Sequence, residues 1–126
     1  MAGFIKVDVE KFPTQSLNMP VNKELFYHFK VKCKQRGFPL NVVVETFMNQ
    51  YAHGRYPLDA ENIVKWKNND GEMETLNSTF NKEIYNNFKN VVKSNGYFIR
   101  HIVAAFIEDY VNNDLVMEYV TDKKAE

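Results

Sequence analysis

Sliding the chain against itself by 59 residues superposes Ser16–Tyr56 on Thr75–Leu115 without a gap. Of the 41 aligned positions, 12 are identical: Leu17/Leu76, Asn18/Asn77, Asn22/Asn81, Lys23/Lys82, Glu24/Glu83, Phe29/Phe88, Lys30/Lys89, Lys34/Lys93, Gly37/Gly96, Val44/Val103, Phe47/Phe106 and Tyr51/Tyr110. Conservative pairs such as Leu25/Ile84 and Phe38/Tyr97 lie between them. Low complexity does not give such a register, and a fixed period has to be read before any other signal. Two copies are too few for a solenoid, so the expectation is an internal pseudo-dimer. The chain then divides into an extension (1–15), a first repeat (16–56), a connector (57–74), a second repeat (75–115) and a tail (116–126).

Each repeat opens with alternating character. Leu17, Met19 and Val21, like Leu76, Ser78 and Phe80, fall on one face; Ser16, Asn18 and Pro20, like Thr75, Asn77 and Thr79, fall on the other. A period of two is a strand with one buried side. Pro20 donates no hydrogen bond, so the first strand is expected to fray there. Asn22 and Asn81 follow as N-caps, because an amide oxygen accepts from the free N–H groups of a first helical turn. Leu25, Phe26, Phe29 and Cys33 form the apolar stripe of one helix; Ile84, Tyr85, Phe88, Val91 and Val92 form that of its counterpart. Gly37 and Gly96 end both helices. Second helices start near Leu40 and Ile99 and carry Val43, Val44, Phe47, Met48 and Tyr51, then Ile102, Val103, Phe106, Ile107 and Tyr110.

A lone strand leaves its backbone groups unpaired. The predicted fold is therefore α+β and mostly helical. Strands near 15–20 and 75–80 pair antiparallel as a ribbon over four helices near 22–36, 40–53, 81–95 and 99–113. Asp59–Trp66 reads as a short capped connector helix and Asn69-Asp70-Gly71 as a turn. Ile5–Val9 alternates like a further strand, and Val116–Val120 is positioned to extend the last helix.

Charge bears on partners. The formal net charge is zero, but it is unevenly spread. The first repeat has a net charge of +4, the second 0, and the connector −3. There is no apolar run of 18 residues, so no membrane span is expected. The N-terminal segment lacks the basic flank and apolar stretch of a signal peptide. The single Cys33 fits a reducing, cytoplasmic setting.

Strand, capped helix, glycine and second amphipathic helix ending in Tyr make a pattern that resembles the ribbon-helix-helix (Arc/MetJ-type) family. It runs from Leu17-Asn18-Met19-Pro20-Val21-Asn22 through Arg36-Gly37-Phe38 to Tyr51, and again from Leu76 to Tyr110, over about two-thirds of the chain. Two tandem copies are similar to TraY-like fused proteins of plasmid transfer and to some viral regulators. The resemblance implies a tandem ribbon-helix-helix and a double-stranded DNA partner. It also implies a role as transcriptional repressor or as plasmid or phage DNA accessory factor, with a second copy able to bind alongside.

By the same resemblance the ribbon enters the major groove, where Ser16, Asn18, Thr75, Asn77 and Thr79 would contact bases. Pro20 occupies a further outward position. Phosphates would meet the opening of the second helices, at Leu40, Asn41 and Val42 and at Ile99, Arg100 and His101; Asn41, Arg100 and His101 are the candidate contacts. No lysine or arginine falls on the outward ribbon face, and Pro39 and Phe98 stand where relatives often carry a Ser or Thr cap. Lys30, Lys32, Lys34 and Arg36 spread around the first helix and read as a solvated face.

No cofactor, metal set or enzyme is expected. His28, His53 and His101 share no repeat position, and no glycine-rich phosphate loop or nucleophile–base signature is present. The competing class is a protein-binding module, such as a phage inhibitor or antitoxin-like protein, keeping the fold without DNA. It would dock through the ribbon or through an exposed Trp66 in the acidic connector.

Overall fold

The unmet backbone of each opening segment is satisfied by the other repeat. The computed structural model describes residues 13–68 and 71–113. In it β1 (Thr14–Asn22) pairs antiparallel with β2 (Met73–Asn81) as a two-stranded sheet. Ser16 lies opposite Thr79, Asn18 opposite Asn77, and Pro20 opposite Thr75. Shifting every pair by the repeat length returns the same set of pairs, and Asn18–Asn77 maps onto itself. The expected fraying at Pro20 does not occur: β1 continues through it to Asn22. Each strand has one neighbour only, so a proline nitrogen on the open side removes no ladder bond.

The rest of the described chain is helical: α1 (Lys23–Arg36), α2 (Leu40–Ala52), α3 (Ala60–Lys67), α4 (Lys82–Ser94) and α5 (Ile99–Asn112). The fold is thus α+β and mostly helical, with helix limits close to those read from the sequence. The Asn22 side chain accepts from Leu25 N–H at 3.0 Å, and Asn81 accepts from Ile84 N–H at 3.0 Å. Lys23 N–H donates to Glu72 carbonyl at 2.8 Å, and Lys82 N–H donates to Pro13 carbonyl at 2.9 Å, so each strand-to-helix junction is tied to the residue just before the opposite strand. Gly37 and Gly96 sit at φ of +80° and +82°, the left-handed region that a side chain disfavours. Asp59 caps α3 by accepting from Glu61 N–H. Asn69, Asp70, Ile5–Val9 and Val116–Val120 lie outside the described residues.

Packing crosses between the repeats: α1 lies on α5, and α2 on α4. Phe47 of α2 and Phe106 of α5, equivalent residues, stack with ring centroids 4.2 Å apart. Around them Tyr51 meets Phe88 at 5.6 Å and Tyr110 meets Phe29 at 5.5 Å, two copies of one contact. Met19, Val21, Leu76 and Phe80 close this core from the sheet. The connector departs from the pattern: α3 packs chiefly on α5, where Trp66 bonds Glu108, and Ile63 is buried in the core.

Candidate nucleic-acid interface

With Met19, Val21, Leu76 and Phe80 committed to the core, the alternate residues of the sheet face outward. Ser16, Asn18, Pro20, Thr75, Asn77 and Thr79 are all exposed. They form one polar surface with the two asparagines directly opposed at its centre. The Ser16 and Thr79 hydroxyls are 3.5 Å apart across the strands. The surface bears amides and hydroxyls and no charge, so its chemistry is hydrogen bonding in both directions.

Cations flank this surface, and the two flanks differ. A cleft of about 390 Å³ runs beside β1, bordered by Asn18 and Pro20 on the strand, Lys89 and Lys93 on α4, and Phe98 and Arg100 at the start of α5. No carboxylate lines it. Among the described residues none of these three cations forms an ion pair. The Arg100 guanidinium sits 5.2 Å from the centroid of the Phe98 ring, which is 60% exposed. The equivalent positions beside β2 are Lys30, Lys34 and Asn41. There the Lys30 ammonium is paired with Glu74 at 3.3 Å. The repeat equivalent of Glu74 is Gln15, which has no charge to offer Lys89. Lys89 and Lys93 escaped sequence reasoning, although their identity with Lys30 and Lys34 was a visible signal.

Two further first-repeat cations are held elsewhere. Arg36, expected on a solvated face, donates to Tyr110 carbonyl at 3.2 Å and to Asn113 carbonyl at 3.1 Å, closing the end of α5. Lys23 pairs with Glu72 at 3.6 Å. The sequence thus makes the first repeat the basic one, yet more unpaired cations border the ribbon on the second-repeat side.

Asn41 and Arg100 are exposed in the first turns of α2 and α5, neither of which has a side-chain cap. His101 does not join them, which corrects its assignment as a phosphate contact. It is 8% exposed, and its N–H donates to Phe98 carbonyl at 3.1 Å. Burial, followed by the charges of Arg100 and Lys67, holds its pKa below the ordinary value and so favours the neutral ring.

Trp66 is likewise corrected: it is half-buried, and its Nε1–H donates to Glu108 Oε1 at 3.0 Å, while Lys65 pairs with the other oxygen. Its indole is held against α5 by that bond. Among the described residues no group of three metal-ligating side chains assembles, and no helix is long and apolar enough to cross a membrane. Comparison with known proteins finds no family model, curated sequence or solved structure that matches this chain.

Proposed function

We propose that the chain is a tandem ribbon-helix-helix protein whose halves form an intrachain pseudo-dimer. In this reading it is a sequence-specific double-stranded DNA-binding protein, acting as a transcriptional repressor or as a plasmid or phage DNA accessory factor. The observation that carries the reading is the outward sheet face, centred on the Asn18–Asn77 pair with unpaired cations beside it. A two-stranded ribbon fits the major groove, and an amide can bond adenine N6 and N7 bidentately. Ser16, Thr75 and Thr79 supply further donors and acceptors. Arg100 and Asn41 stand where flanking phosphates would pass, and they position rather than specify.

The experiment is a gel shift with duplexes selected from a random pool, against random duplex at low salt. Preference for the selected sequence is the expected result. Asn18→Ala and Asn77→Ala should each remove about 1–3 kcal/mol of base discrimination. Absence of any preference would overturn the reading. One feature favours a protein partner instead: the ribbon face carries no cation and so forgoes counterion release. A partner retained on the ribbon at high salt, together with no DNA preference, would establish that alternative.

A further inference from the structure

We infer that the chain grips its duplex unequally: Lys89, Lys93 and Arg100 hold the phosphates of one half-site, and the other half-site is held weakly. The base-facing ribbon differs between the halves as well, with Pro20 where the second strand has Thr79, so the chain binds a non-palindromic duplex in a single orientation. This inference rests on the DNA-binding reading above and adds to it which half is the anchor.

The two flanks begin from nearly the same sequence. Lys89 and Lys93 repeat Lys30 and Lys34, at the same spacing along the equivalent helix. Two changes of charge separate the flanks. Arg100 stands where the first repeat has Asn41, and Glu74 stands where the opposite strand has Gln15. Glu74 occupies the Lys30 ammonium at 3.3 Å, so a phosphate reaching Lys30 must first displace a carboxylate. Beside β1 there is no such competitor, and the cleft lining includes three cations and no acid. The duplex is a continuous anion, and each unpaired cation that meets a phosphate releases roughly one counterion. Three such cations on one flank against Lys34 alone on the other is a difference of two released counterions. A protein with equal halves would instead match a palindrome.

The test measures the salt dependence of binding to a labelled random-sequence duplex of about two helical turns. Lys89→Gln should lower the slope of log K against log salt by about one, and Lys93→Gln and Arg100→Gln should each do the same. Lys30→Gln should leave the slope nearly unchanged. Glu74→Gln should raise it by about one, because it frees Lys30. That gain cannot come from misfolding. On the best duplex selected from a randomised pool, the hydroxyl-radical footprint of Lys89→Gln should change in one half only. Equal slope losses for Lys30→Gln and Lys89→Gln, no gain for Glu74→Gln, or a footprint change in both halves would overturn the unequal grip while leaving DNA binding standing. If the unaltered chain binds no duplex at low salt, the DNA reading fails and this inference fails with it.

Discussion

Phe47 stacks on Phe106 in the core, and around that pair Tyr51 meets Phe88 much as Tyr110 meets Phe29. On the surface, Lys30 is tied to Glu74 while its counterpart Lys89 is free of any carboxylate among the described residues. The interior keeps both copies of this ring contact, and the exterior does not keep both copies of the ion pair. Close packing explains the difference. A buried ring is constrained by every neighbour, and changing its volume is felt at once. An exposed charge loses little by being replaced. Divergence between the halves therefore accumulates where it is cheapest and where a ligand would feel it most.

The comparison breaks most visibly if the core is not equivalent in its two halves. Phe47→Ala and Phe106→Ala should each lower unfolding stability by about 3–5 kcal/mol, and by similar amounts, in urea titrations. A clear inequality would show that one repeat carries the core.

At the ends of α2 and α5 the halves differ, and the expected effects are smaller. Arg36→Ala should cost about 1–2 kcal/mol, because a charged donor serves two helix-end carbonyls. Its counterpart Asn95 donates one neutral bond, to the Tyr51 hydroxyl at 3.1 Å. Tyr51→Phe should then cost about 1 kcal/mol. Tyr110→Phe should be near neutral, since the buried Tyr110 hydroxyl has no partner among the described residues. Equal losses in the two tyrosine variants, read from thermal or urea unfolding, would remove this distinction.

The caps sharpen the comparison from the other side. Asn22→Ala and Asn81→Ala should each cost about 1 kcal/mol, because the two caps make the same bond at the same length.

The smallest expected effect is a pH dependence belonging to one half. His101 is held below the ordinary 6.5, so the unfolded chain takes up its proton first as pH falls. Its contribution to stability is complete above 6.5 and is lost as pH falls from there toward the folded value. The equivalent Val42 cannot titrate. His101→Asn should flatten the stability profile just below 6.5, and Val42→Ala should not.

Much of the fold was legible because the repeat supplied two readings of each signal. Asn22 and Asn81, then Gly37 and Gly96, mark the same helix limits twice, and alternation on both strands fixes which face is buried. What stayed hidden depends on single copies. Glu74 and Gln15 lie one position before the aligned segments, so one of the two charge differences between the flanks fell just outside the repeat. His101 is buried although its counterpart Val42 is 38% exposed; α3, which packs on α5 and brings Lys67 near His101, has no counterpart in the repeat, so a helical stripe does not resolve it. Trp66 and Arg36 found partners in α5 and at its end, far along the chain, and residue type alone does not name a distant partner. Composition also misled: the first repeat is the more basic, but its cations are partly consumed by Glu72, Glu74 and the carbonyls at the end of α5.

Both strands of the sheet belong to one polypeptide, and this changes how the molecule responds to dilution and to mutation. Two separate chains forming such a sheet would come apart as their concentration fell, whereas joined halves remain at a fixed effective concentration, of millimolar order for short flexible linkers. Folding here is first order at any abundance. In a symmetric dimer every substitution appears twice, so a carboxylate beside one lysine would silence both. In this chain a substitution appears once, and Glu74 can mask Lys30 without touching Lys89.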